Sequence, residues 1–198
     1  MRKTDLNILF IGDSITNGEF LFNEDEQFWS LIHDRLLREN IRDNINVLAF
    51  CENGWTTRLA LVDKEWQTAM RWKPEIAIIQ FGLNDCNRWE TDGNVQRVNI
   101  FSFKHNLIEM IQRLRSAGCE KIFLLNIHRC NKGEDYEQDA FAYSCWLEKV
   151  TVSEEVGLID VRSRIDTQAH LLPDGIHLNR QGHIKYADTV IEAFGDLS

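Results

Sequence analysis

Five short apolar runs with helical patterns between them constrain the fold of this 198-residue chain more than any other feature. They are LNILFI (Leu6 to Ile11), INVLAF (Ile45 to Phe50), EIAIIQ (Glu75 to Gln80), KIFLLNI (Lys121 to Ile127) and GLID (Gly157 to Asp160). Their apolar character is nearly continuous instead of alternating, which fits strands covered on both faces, as in a parallel sheet. Between them the period is helical. Leu107, Ile111 and Leu114 fall on one face ahead of Gly118, a helix stop. Further helices are expected over about Gln27 to Glu39, Thr57 to Arg71, Glu137 to Glu155 and Arg180 to Phe194. Strand and helix alternating throughout predict an α/β fold: a three-layer α/β/α sandwich on a five-stranded parallel sheet, with right-handed crossovers. No repeat or linker interrupts the pattern, so residues 1–198 read as one domain.

Composition narrows the partners. A chain this long buries roughly 70% of the surface its unfolded form exposes, so it needs no disulfide or metal staple. Its formal net charge is −9, and its densest basic stretches, RLLREN and RLRS, lie within amphipathic helical patterns, which argues against a nucleic-acid partner. The N-terminal apolar run is short, is broken by Asp5 and Asn7 and precedes no cleavage site, so no signal peptide is read. No run approaches the roughly 18 apolar residues of a membrane span, and the chain as given reads as soluble and cytoplasmic. Five cysteines (51, 86, 119, 130 and 145), with no Cys-x-x-Cys pair and no zinc-like histidine spacing, read as reduced thiols. Neither a metal nor a cofactor is expected.

In an open parallel sheet the ligand site lies beyond the carboxyl ends of the strands, so the polar residues just after each run are the candidates. Gly12, Asp13 and Ser14 follow the first. Asn53, Gly54, Trp55 and Thr56 follow the second, and Gly82, Asn84 and Asp85 the third. His128 and Asp160 end the fourth and fifth, and LPDGIHLN, with Asp174 and His177, precedes the last helix. Taken alone, FIGDSITNGE leaves Ser14 open to three readings: nucleophile, phosphate cradle or turn residue.

A nucleophilic serine needs an adjacent base, and the base needs a third group to fix its tautomer. Asp174 and His177, three apart in a turn held by Pro173 and Gly175, can supply both. Oxyanion donors are available in the backbone N–H groups of Ser14 and Gly54 and in the Asn84 amide.

GDSIT, the glycine of ENGWTT, GLND and DGIH together resemble the four motif blocks of the SGNH, or GDSL, hydrolase family, in the family's order. The resemblance implies a flavodoxin-like fold and ester or thioester hydrolysis without metal or cofactor. It implies Ser14 as nucleophile, His177 as base, Asp174 as its orienting carboxylate, and Gly54 and Asn84 beside the Ser14 amide as the oxyanion hole. Asp13 is expected to organise the turn and, with Trp55, Trp89 and His128, is a candidate substrate contact. Asp85 is expected to hold its loop, and His183 to pack at the start of the last helix. The long polar loop CNRWETDGNVQRVN suits a lid or specificity loop.

The expected function is a serine esterase acting through an acyl-enzyme on a small-molecule ester, favouring a small acyl group such as acetyl on a carbohydrate or similar polar alcohol. Alternatives on the same triad are an O-acyltransferase and a lysophospholipase or thioesterase. From another class, a non-catalytic anion- or sugar-binding module would use the same strand-end amides.

Overall fold

A computed structural model describes residues 5–39, 41–89 and 93–195. The first four residues, at the start of the stretch read above for a leader, and residues 90–92 of the long polar loop lie outside them. The sheet is built from β1 (Asp5–Gly12), β2 (Asn44–Cys51), β3 (Ile76–Gln80), β4 (Lys121–Leu125) and β5 (Gly157–Ile159). All five are parallel, in the order β2-β1-β3-β4-β5. This is the expected α/β sandwich with flavodoxin-like strand order.

Burial explains the runs. Every residue of β3, the middle strand, is buried, and Ile8, Leu9, Phe10 and Ile11 of β1 are fully enclosed. The edge strand β2 carries polar side chains instead, and these pair in register: Asn44 donates to Asp5 at 2.8 Å and Asn46 to Asn7 at 3.0 Å.

The helices are α1 (Ser14–Asn17), α2 (Phe28–Arg38), α3 (Thr57–Val62), α4 (Trp66–Arg71), α5 (Leu83–Cys86), α6 (Ile100–Ser116), α7 (Glu134–Ser153) and α8 (Arg180–Phe194). On one side α2 packs on α8; on the other α6 packs on both α3 and α7. Phe28 of α2 is the hinge of the first layer, edge-on to Phe10 at 5.6 Å and stacked on His183 at 6.1 Å. No helix among the described residues is long and apolar enough to cross a membrane.

Two helical expectations change. The single helix expected from Thr57 to Arg71 is two, because Asp63 is extended (ψ 138°) and its carboxylate accepts the Glu65 N–H at 2.8 Å, a local bond that competes with the helix. The helix expected from Glu137 begins earlier, at Glu134, with Glu134, Asp135 and Glu137 in its first turn, where acidic side chains complement the helix dipole. The stop at Gly118 stands: the Cys119 N–H returns to Leu114 O and the Gly118 N–H to Arg115 O, both at 3.0 Å.

Chain direction makes the site. β1 connects through α2 to β2 on one side, whereas β3 connects through α6 to β4 on the other, so a crevice opens between the ends of β1 and β3. That junction is tight. A Cβ on Gly12 would stand 2.0 Å from Thr16 Oγ1 and 2.9 Å from Gln80 Oε1, atoms that are themselves hydrogen-bonded at 2.8 Å. Replacing Gly12 by alanine is therefore expected to cost about 1–3 kcal/mol by overpacking. Urea unfolding checks this, and an unchanged midpoint would contradict the close approach.

Candidate active site

The end of β1 turns into a single helical turn. Asp13 is extended and caps α1, its Oδ1 accepting the Ile15 N–H at 3.0 Å, while Gly18 in the left-handed region ends the turn with its N–H on Ser14 O. Ser14 thus stands at the first helical position, where the backbone N–H lacks an intrahelical partner. The turn is fastened twice near its end, by Thr16 to Gln80 of β3 and by the Asn17 amide to Asn53 Oδ1, both at 2.8 Å.

After β2, Gly54 has φ 75°, a left-handed conformation that side-chain-bearing residues resist, although open space surrounds it. The neighbouring Asn53 N–H is taken by Glu52 Oε1 at 3.2 Å. Arg97 donates to Gly54 O at 3.0 Å and holds this loop from the far side. Trp55 packs edge-on against Phe50 at 4.9 Å and is half-buried.

After β3, Asn84 is half-buried on α5. Next to it Asp85 is fully enclosed and accepts the Thr57 N–H at 3.0 Å and the Thr57 hydroxyl at 2.5 Å, tying this loop to the start of α3. The loop-holding role expected for Asp85 has this physical form.

The residues before α8 complete the cluster. Asp174 Oδ1 accepts the N–H groups of Ile176 at 2.9 Å and His177 at 3.0 Å. Its Oδ2 accepts His177 Nδ1–H at 2.6 Å, and His177 Nε2 accepts the Ser14 hydroxyl at 2.9 Å. Hydroxyl, imidazole and carboxylate stand in one hydrogen-bonded line. Asp160, a competing strand-end carboxylate, is occupied elsewhere, accepting from Asn126 at 2.7 Å and the Ser163 N–H at 3.1 Å.

One expectation is corrected. His128 was expected to contact substrate, but it is 1% exposed and both ring nitrogens are engaged: Nε2–H donates to Ile176 O at 2.9 Å and Nδ1 accepts the Tyr186 hydroxyl at 2.5 Å. It braces the carbonyl preceding His177 from beneath. Trp89, by contrast, is 45% exposed, with the Arg97 guanidinium stacked 4.1 Å from its centroid. His183 is buried in the second turn's packing and its Nδ1 accepts the Phe28 N–H at 3.3 Å.

Three neighbours escape a motif reading. Glu19 Oε2 lies 3.6 Å from His177 Nε2, the Phe20 ring stands edge-on to the imidazole at 5.0 Å, and Arg97 supports Gly54. The first two follow Gly18, whose helix-ending conformation folds the chain back across the imidazole. That glycine is the signal a sequence reader could use.

Electrostatics follow from burial. Partial burial raises the Asp174 carboxyl, but the bonds from the imidazole and from two N–H groups outweigh it and leave the group below the usual carboxylate range. Enclosure pushes Asp13 and Asp85 up to about 7 each, against the hydrogen bonds they accept. Enclosure also pulls His128 down to about 4 and His183 to about 3.

Fold and side chains together define a class: an α/β acyl hydrolase with a serine at the end of its first strand. The chain belongs to the GDSL-like lipase/acylhydrolase family, whose model matches residues 10–184, and so is a carboxylic ester hydrolase. Similar solved structures include LAE5, an alpha/beta hydrolase enzyme from the metagenome of Lake Arreo, Spain, at 23% identity over 98% of this chain and 96% of that one, with a TM-score of 0.82. A catalytic mutant of Axe2, an acetylxylan esterase from Geobacillus stearothermophilus, matches at 16% identity over 98% and 97%, TM-score 0.81. The lipase/acylhydrolase from Enterococcus faecalis matches at 21% over 94% of each chain, TM-score 0.80. No curated protein matches the sequence.

The opposed shifts make a stability test. Buried acids that keep their proton stabilise the fold at low pH and lose that contribution as pH rises from about 4 through 7. Histidines held neutral do the reverse: their contribution is present above about 6.5 and is lost as pH falls toward 4 and 3. Accordingly His183→Gln, which retains an acceptor for the Phe28 N–H, should destabilise more at pH 7 than at pH 4.5, by on the order of 1–2 kcal/mol. Asp85→Asn should show the opposite slope. Urea titrations at both pH values check the signs, and equal penalties at the two would refute them.

Proposed function

We propose that the chain hydrolyses esters through an acyl-Ser14 intermediate, with His177 as general base and acid and Asp174 as its orienting carboxylate. The observation that carries this is the continuous line from Ser14 Oγ to His177 Nε2 (2.9 Å) and from Nδ1 to Asp174 (2.6 Å). Ser14 Oγ bonds to the carbonyl carbon as its proton passes to Nε2. Negative charge then collects on the former carbonyl oxygen, and the N–H groups of Ser14 and Gly54 and the Asn84 amide receive it. Collapse breaks the ester C–O bond, with the Nε2 proton going to the leaving alcohol. Water repeats the sequence on the acyl-enzyme and frees the acid.

Two bonds prepare the reactants. Asp174 fixes the imidazole with Nδ1 protonated, which leaves the Nε2 lone pair facing Ser14. Asp13 takes the Ile15 N–H and not that of Ser14, so the serine contributes both its hydroxyl and an oxyanion donor.

Among esters, the reading favours a small acyl group such as acetyl on a carbohydrate or similar polar alcohol. Polar groups around the reacting pair support it: Glu19 lies 3.6 Å from His177 Nε2, and Asn53 accepts a bond from Asn17 of the serine's own turn at 2.8 Å. The Axe2 relative, named as an acetylxylan esterase, is compatible in substrate class.

Assays with short and long p-nitrophenyl esters test the reading. Ser14→Ala is expected to lower kcat by about 10⁴-fold or more, Asp174→Asn by about 10⁴-fold and Asn84→Ala by about 10²–10³-fold. Intact-mass analysis of rapidly quenched wild type should show one acyl adduct, absent from Ser14→Ala. Wild-type rates in Ser14→Ala would overturn the nucleophile.

A further inference from the structure

We propose that a cleft between the start of α7 and the chain leaving α5, whose walls are bonded to the loops carrying Asn84 and Asp174, is a subsite for a neutral carbohydrate that holds the alcohol part of the ester. This rests on the esterase reading above and adds a location and a ligand chemistry to it.

Position is the first argument. The cleft encloses about 760 Å³, within the span typical of small-molecule sites and far more than an acetyl group fills. Its walls hang from the loops that carry the reacting groups. On the α7 side, the Asn131 N–H donates to Gly175 O at 2.7 Å, one residue beyond Asp174, and the next residue, Lys132, lines the cleft. At its floor Tyr136 donates its hydroxyl to Leu83 O at 2.7 Å, the residue before Asn84. On the third side Trp89 is stacked by Arg97, which also bonds Gly54 O. A ligand seated there lies against the supports of Gly54, Asn84 and His177 at once.

Chemistry is the second argument. Trp89 and Tyr136 line the cleft with aromatic rings that carry Arg97 at 4.1 Å and Lys132 at 5.2 Å, and the exposed part of Trp89 suits the C–H face of a sugar ring. Asn87 and Asn94 present amides, which both donate and accept, as each sugar hydroxyl also does, and Gln138, whose Nε2 donates to Glu134 at 3.2 Å, adds a further amide. The charges do not favour an anion. Arg88 is held bidentately by Asp139 at 2.7 and 3.1 Å, and Lys132, whose ammonium lies 5.2 Å over the Tyr136 ring, shares the cleft lining with Glu134 and Asp135. Among the described lining residues a phosphate or carboxylate would meet three acidic groups (Glu134, Asp135, Asp139) against two basic ones (Arg88, Lys132), whereas a neutral polyol meets no such imbalance.

Preorganisation is the third. Nearly half of the Trp89 surface is open, yet Arg97 fixes the ring's attitude, so little rotamer freedom is left to lose when a ligand stacks on it. A tryptophan placed only to fill the core would be covered.

Two measurements separate failure of the subsite from failure of the esterase reading. In the first, kcat/KM is measured for glucose pentaacetate and for p-nitrophenyl acetate on wild type, Trp89→Ala and Gln138→Ala. We expect the ratio of the two substrates to fall about tenfold in Trp89→Ala and several-fold in Gln138→Ala, carried mainly by KM for the sugar ester. In the second, which needs no turnover, neutral trisaccharides of the cello, xylo and N-acetylglucosamine series are titrated into Ser14→Ala and Ser14→Ala/Trp89→Ala by isothermal calorimetry. At least one series should bind in the millimolar range or tighter, and at least fivefold more weakly without Trp89. Unchanged ratios in both variants, or no trisaccharide binding to Ser14→Ala, overturn the subsite even if p-nitrophenyl acetate is hydrolysed. Trisaccharide binding that depends on Trp89 in a protein that cleaves no ester keeps the subsite and overturns the reaction.

Discussion

The hydrogen bond from Ser14 to His177 joins residues 163 positions apart, and the rest of the structure can be understood as what that contact requires. At 2.9 Å it tolerates little error in either segment, and the local bonds that shape the α1 turn and the Asp174–His177 turn cannot by themselves bring the two together. Placement comes instead from the parallel sheet. β1 delivers the serine to the edge where all strands end, and the turn before α8 reaches the same edge because α8 packs beside α2 on the layer next to β1. Buried, nearly all-apolar strands make that scaffold stiff, since a close-packed interior transmits displacement instead of absorbing it.

The remaining precision is supplied by buried polar groups. Thr16 with Gln80, Asp85 with Thr57, and His128 between Tyr186 and Ile176 O each tie a site loop to a neighbouring element. Each such group is costly to enclose unless paired, so once paired it penalises any rearrangement that would break the pair. The cost shows in the acids: Asp13 and Asp85 sit near 7 because burial outweighs the bonds they accept. Neutral histidines with opposite pH dependence lie within the same scaffold. Through mildly acidic pH the two classes act with opposite sign on the scaffold's stability.

How much of this could be read from residues alone depends on whether the determinant was local. Strand positions were legible because burial on both faces forces a contiguous apolar run, and the Asp174–His177 pair was legible because its geometry fits within four residues. That position 54 takes a glycine was legible in the motif, and its positive φ supplies the physical reason. His128 misled because a polar residue just past a strand reads as facing the cleft. Its actual direction is set by Tyr186, 58 residues later. Arg97 and Glu19 were invisible for the same reason: one reaches back 43 residues to Gly54, and the other gains its neighbour only through the sheet. The break at Asp63 is different in kind, since an aspartate within a helical pattern is a local competitor and its signal was present in the sequence.

Glu19 shows what nonlocal placement adds to the proposed chemistry. While His177 is neutral, with Nδ1–H on Asp174, Nε2 has only a lone pair to offer, and a carboxylate 3.6 Å away cannot bond to it. The Ser14 hydroxyl, a donor, has no rival for that position. Once the proton moves to Nε2 the relation inverts, because the imidazolium N–H now has two acceptors in reach: the departing alcohol oxygen and Glu19. The carboxylate therefore leaves the attack undisturbed and gives the transferred proton a second acceptor, away from the serine that has just released it. Phe20, adjoining Glu19, packs edge-on against the same ring at 5.0 Å. Both neighbours of the imidazole, Glu19 and Phe20, thus come from the six residues after Ser14, brought back across the ring because the helix ends after one turn at Gly18.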